Sequence, residues 1–311
     1  MSRSKRAARE REILAPGERE KWLRTPEGGV RAGWLLAVSL LSYTLVRLAA
    51  LLGLTPGFAA LFRAWGVNSA TVARAPGWAR LLWRWQGSVV TLTVSAALIA
   101  VCRWLRRLWL GKWERQRLEG GRLALFALAG LGMAVIVLLL GLLPDSLRLE
   151  MAAPRFSWSL IAVCAVSLLS ALAEEAFTKG VLFDGLAPRW GKAWAAAVAC
   201  AWFFLGNGGH AGTAVSALNV LLMGFLCCVL YARYGLWAAV GLRWGWSFAT
   251  VFLMGFGGGE TAVYRFYGVS ETLLTGGDAG PIYGLWTTLL LVGMIGWMER
   301  NRLRAMRLKR G

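Results

Sequence analysis

Apolar runs close to the length of a bilayer-crossing helix recur along the whole chain, separated by short polar segments. A helical span needs about 20 mostly apolar residues. Eight stretches fit: about 33–54, 86–103, 123–143, 157–180, 192–207, 214–232, 235–256 and 282–298. The pattern predicts an all-α integral membrane protein with about eight transmembrane helices. It divides the chain into a charged tail (1–30), three N-terminal spans with their loops (31–156), a five-span membrane domain (157–298) and a basic tail (299–311). Pro56 and Pro76 mark a loop over about 55–85 expected to hold a short interfacial helix.

Composition sharpens this picture. The chain is 57% hydrophobic with a mean hydropathy of +0.53, against about 45–50% apolar residues in soluble domains. Several of the 18 Trp sit at run ends, where indole favours the membrane interface. The net charge of +19 would fit a nucleic-acid partner, but the basic residues cluster in tails and short loops. That distribution sets membrane orientation and argues against nucleic acid. It places both termini in the cytoplasm, leaving the loop 257–280, with Glu260, Glu271 and Asp278 against Arg265, outside. The 55–85 loop, with four Arg and no acid, is the exception. The polar first thirty residues and long first run read as a signal anchor, not a cleaved leader. Arg greatly outnumbers Lys, and Ala, Leu and Gly abound, which points to a bacterial cell (cytoplasmic) membrane protein. Five Cys without a CxxC pair, and a single His, argue against a disulfide framework, a metal site or a cofactor.

Ionisable residues inside spans are costly and mark function. Glu174, Glu175 and Lys179 lie late in the fourth span, Asn207 and His210 at the end of the fifth, Arg243 and Ser247 in the seventh. Glu175 and Lys179 share a helix face, as do Phe203 with Asn207 and Arg243 with Ser247. Glu174 falls about 9 Å and Arg243 about 12 Å from the inner membrane edge at 1.5 Å per residue, so the two are expected to pair. Arg47 is expected to snorkel to the headgroups, Glu260 to be solvated, and Asn219 to hydrogen-bond across helices.

The segment Ala173-Glu174-Glu175-Ala176-Phe177-Thr178-Lys179 resembles the EExxxR motif of the CPBP family of intramembrane endopeptidases, which includes the type II CAAX prenyl endopeptidases. Arg233 to Phe248 resembles that family's third-motif region, and Leu273 to Gly277 its tail. The resemblance covers about 157–298 and implies a peptidase site on spans four, five and seven. It implies a glutamate as general base on water, His residues holding that water and the oxyanion, and a membrane-associated, prenylated or transmembrane peptide as partner.

The departures bear on the chemistry. Lys179 replaces the first motif's Arg, Asn207 its second-motif His, Arg243 the third-motif His and Ser247 the Asn that follows. His accepts and donates protons near neutrality, whereas Arg stays protonated. An Arg243 facing Glu174 would hold the carboxylate as an ion and make it a poorer base. These replacements favour a protein whose peptidase activity is weakened or lost, and which binds a membrane or lipidated partner. Two alternatives stand beside it. One is an active endopeptidase in which His210, three residues after Asn207, replaces the missing His. The other is a transporter or channel using Glu174, Arg243 and Lys179 as a polar path, against which no inverted repeat is visible.

Overall fold

The structure is a computed structural model describing residues 31–110, 118–142, 147–150, 158–207, 212–256, 265–268 and 273–308. Helix α1 spans Ala32–Ala64, α2 Gly77–Leu110 and α3 Gly120–Leu142. Helix α4 is α-helical over Trp158–Glu175, widens to a π-helix over Ala176–Phe183 and returns to α over Asp184–Trp190. Then follow α5 (Lys192–Gly206) and α6 (Ala214–Tyr234). Helix α7 (Leu236–Ser247) continues as a π-helix over Phe248–Leu253, and α8 covers Leu285–Leu308.

Among the described residues, five helices (α1, α2, α3, α4 and α6) are long and apolar enough to cross a membrane. Helices α5, α7 and α8 occupy the other three predicted stretches, α5 being apolar but only 15 residues long. The all-helical design follows from the solvent: without water, each backbone polar group must find its partner within its own segment. A two-stranded antiparallel ladder adds to it, pairing β1 (Leu147–Glu150) with β2 (Arg265–Gly268), Leu147 opposite Gly268.

Several boundaries differ from the sequence reading. Helix α1 does not stop before Pro56. A π-turn over Ala50–Leu54 precedes Pro56, and this wider turn carries the proline, which donates no N–H, into the continuing helix. Thr55–Ala64, expected to lie in a loop with a short interfacial helix, instead continues α1. Helix α2 begins at Gly77, immediately after Pro76, whose carbonyl accepts from Ala79 and Arg80 N–H. Helix α4 runs ten residues past 180, through its π-segment and Pro188, to Trp190. The tail 1–30, Glu260 and Glu271 lie outside the described residues.

Helices α3 and α7 make the most extensive contact of the fold. Gly241 and Gly245 form a small-xxx-small face on α7, and a Cβ at Gly245 would overlap the Ala127 carbonyl of α3. Gly130 on α3 meets the Leu242 backbone in the same way. Such close backbone approach is how membrane helices gain packing energy without a hydrophobic driving force. It also fixes α7 against a rigid backing, with Arg243, between the two glycines in sequence, reaching α4. On another side of α6, Asn219 bonds across helices as expected: its Nδ2 donates to Ile282 O (2.8 Å) and Gly284 O (3.0 Å), and its Oδ1 accepts from Thr288 (2.7 Å).

Candidate functional site

Five charged side chains from three helices meet inside the bundle. Glu174 and Glu175 end the α-helical part of α4; Glu174 is 9% exposed and Glu175 fully buried. Arg243 donates to Glu174 Oε2 through Nη2 and lies 3.5 Å from Glu175 Oε1 through Nη1. The expected pairing of Glu174 with Arg243 is therefore present. Lys179, also fully buried, sits 2.9 Å from Glu175 Oε2. That contact is a buried ion pair, and among the described residues neither atom makes a hydrogen bond.

The sequence reading missed one member. Arg47 of α1 does not snorkel away to the headgroups. Its Nη2 donates to Glu174 Oε1 at 2.7 Å and to Tyr43 Oη at 2.9 Å. Tyr43 is in turn packed against Phe177 (4.7 Å between ring centroids) and Trp202 (5.2 Å). Arg47 was visible as an ionisable residue in an apolar run, but its partner lies 127 residues away and no local spacing joins them. Each oxygen of Glu174 thus accepts from a different arginine.

Phe203 forms the floor. Its ring centroid lies 4.9 Å from Lys179 Nζ and 4.7 Å from the Arg243 guanidinium carbon, so one aromatic ring serves two cations. Gly224 on α6 makes room for this ring, because a Cβ there would press on it. Asn207, at the end of α5, turns its amide nitrogen to Phe203 O (2.8 Å) and its oxygen to Arg243 Nη2 (3.4 Å). Asn207 is a weak acceptor for Arg243, and its amide cannot shuttle protons. Ser247 lines two cavities alongside Arg243. His210 lies outside the described residues.

The π-helix of α4 starts directly after Glu175, and Lys179 belongs to it. Single π-turns gather at functional sites because they re-aim side chains from an otherwise regular helix. Thr178 Oγ1 bonds the Glu174 carbonyl at 2.7 Å within this segment. Farther along, Arg106 of α2 donates to Gly180 O (3.0 Å) and Asp184 (3.3 Å), and Tyr231 of α6 donates to the same Asp184 oxygen at 2.5 Å. This second polar knot, which the sequence reading also missed, ties α2 and α6 to the end of the π-segment.

Three cavities reach the charged cluster. One of about 750 Å³ lies between α2, α4 and α7 and exposes Arg243, Ser247 and Ser170. A second, of about 340 Å³, lies between α1, α2 and α4 and exposes Arg47 and Glu174. A third, of about 150 Å³, brings Phe203, Asn207 and Arg243 together with the segment Ala279–Ile282. Among the described residues no group of three His, Cys, Asp or Glu could hold a metal ion. The five cysteines are free thiols.

The comparisons with known proteins bear on this arrangement. The family model described as type II CAAX prenyl endopeptidase Rce1-like matches residues 156–249, about a third of the chain. No curated protein and no solved structure matches at a significant level. The matched segment contains Glu174, Glu175, Lys179, Asn207, Arg243 and Ser247 but not Arg47. Through that segment, and as a membrane-embedded multi-pass bundle, the protein is similar to the Rce1-like type II CAAX prenyl endopeptidases.

Proposed function

We propose that this CAAX-protease-like membrane protein binds a membrane-inserted or lipidated partner and does not hydrolyse it. The observation that carries the reading is the double arginine clamp on Glu174: Arg47 on one carboxylate oxygen and Arg243 on the other. A general base must give up its ionic partners to take a proton from water, and two guanidiniums oppose that step. Glu175 is no better placed, being fully buried between Lys179 and Arg243. Arg243 and Asn207 offer no group that cycles its proton near neutrality. What remains is a set of polar-floored cavities inside a membrane bundle, suited to holding a ligand. The orientation we assign, both termini cytoplasmic in a bacterial cytoplasmic membrane, rests on the basic tails and loops.

The test uses the full chain in lipid nanodiscs with two substrates, a prenylated peptide and a single-span transmembrane peptide, each read by mass spectrometry. The expected result is no cleavage above background with either. Specific cleavage that disappears in Glu174→Ala protein overturns the reading in favour of an active endopeptidase.

A further inference from the structure

The charged cluster is not neutral. Among the described residues it contains three cations, Arg47, Lys179 and Arg243, against two carboxylates, Glu174 and Glu175. An excess charge inside a membrane bundle is expensive unless something compensates it. The excess is not spread evenly. Lys179 lines none of the three cavities, whereas Arg47 faces one and Arg243 two. Arg47 uses only Nη2 on Tyr43 and Glu174, so its Nη1 and Nε donors are available, and its side chain is 43% exposed.

The two larger cavities are neighbours. Ser170 of α4 and Thr91 of α2 line both. Together they make one polar floor in which Arg47 and Arg243 flank the Glu174 carboxylate and Ser170 and Thr91 supply hydroxyls, with the exposed Arg84 of α2 also lining the larger cavity. Above this floor the wall of the smaller cavity turns apolar, with Val94 and Leu98 of α2. A polar floor with two arginines under an apolar wall matches an amphiphile, not a free ion. Arginine forks and hydroxyls together suit a group with several acceptor oxygens.

We propose that these joined cavities bind an amphiphile with a singly charged phosphate headgroup, seated against Arg47 and Arg243 with Ser170 and Thr91 as further donors. One negative charge brings the cluster to three against three. The proposal rests on reading the site as a binding cavity, and names the chemistry of what it binds.

The full-length protein in neutral maltoside detergent is titrated with dioctanoyl phosphatidylglycerol, dioctanoyl phosphatidylcholine, decanoate and inorganic phosphate. Binding is read by thermal shift and by bound mass in native mass spectrometry. Phosphatidylglycerol should bind at least tenfold tighter than the net-neutral phosphatidylcholine. That preference should vanish in Arg47→Gln, which leaves the cluster balanced, and binding should fall in Ser170→Leu, which fills the floor the cavities share. Should Ser170→Leu fail to fold, Arg47→Gln alone decides. Equal binding of the two lipids, or a preference unchanged in Arg47→Gln, overturns the proposal; so does decanoate binding as tightly as phosphatidylglycerol. If inorganic phosphate binds as well as the lipid and loses affinity in Arg47→Gln, the phosphate site stands with a free anion as its source. Cleavage in the peptide assay would remove the binding reading itself, whereas loss of lipid preference without cleavage would remove only this assignment.

Discussion

Replacing Glu174 by Gln should destabilise the protein more than replacing Arg243 by Gln, although the two side chains are each other's partners. Their burial is nearly equal, 12% and 11% side-chain exposure, so desolvation alone gives no reason for a difference. The surrounding charges do. Glu174→Gln leaves Arg47, Lys179 and Arg243 facing Glu175 alone, a buried excess of two positive charges. Removing one member of a buried pair in this way costs about 3–5 kcal/mol. Arg243→Gln leaves two cations and two carboxylates, with Glu174 still 2.7 Å from Arg47 and Glu175 still 2.9 Å from Lys179. Its cost should be that of lost charged hydrogen bonds, about 1.5–3 kcal/mol. Arg47→Gln should cost least, about 1 kcal/mol, because its side chain opens onto a cavity, Glu174 keeps Arg243, and the cluster is left with two cations against two carboxylates. Reversible unfolding of each variant in mixed micelles, by titrating sodium dodecyl sulfate and following tryptophan fluorescence, gives the three values on one scale. The reasoning is refuted if Arg243→Gln costs as much as Glu174→Gln, or if Arg47→Gln is the most damaging.

Three further outcomes follow from the packing. Gly245→Val should push α7 off the Ala127 carbonyl and lower stability by about 1–3 kcal/mol or more, measured in the same unfolding assay, with Gly293→Val, which has open space around it, as the near-neutral control. Asn219→Ala strands two carbonyls and the Thr288 hydroxyl and should cost about 1–2 kcal/mol by that assay. Cys164, the one partly exposed thiol, should react with a maleimide in the folded protein well before the buried Cys102, Cys200, Cys227 and Cys228, as read by peptide mass mapping.

How much of this was legible beforehand depended on how far apart the interacting residues stand in the chain. The eight helices are local objects, written in runs of apolar residues, and their number needed no tertiary information. Their ends were less legible. Pro56 and Gly180 look like stops, yet each falls at or inside a π-turn that carries the helix onward, and nothing local announces a π-turn. At the site, Glu175 with Lys179 is an i,i+4 pair and Glu174 with Arg243 follows from matching depths, so both were anticipated. Arg47 was noticed but given the commoner role of a snorkelling arginine. Deciding between the two needed the knowledge that α1 packs beside α4, which no periodicity carries. Asp184, Arg106 and Tyr231 escaped for the same reason: three helices supply one residue each.

The clamp on Glu174 also has a history within each molecule's own synthesis. Arg47 leaves the ribosome 127 residues ahead of its partner, so α1 meets the translocon carrying an arginine that nothing yet neutralises. An arginine near the middle of an inserting helix costs about 2.5–3.5 kcal/mol on the insertion scale. The six leucines around it, Leu40, Leu41, Leu45, Leu48, Leu51 and Leu52, at about 0.3–0.6 kcal/mol each, roughly cancel that cost. Helix α1 is therefore expected to start near balance between bilayer and interface, and the arrival of Glu174 on α4 should tip it inward. Truncated nascent chains ending before α4 should leave α1 accessible to aqueous probes, and chains extended past Glu174 should not.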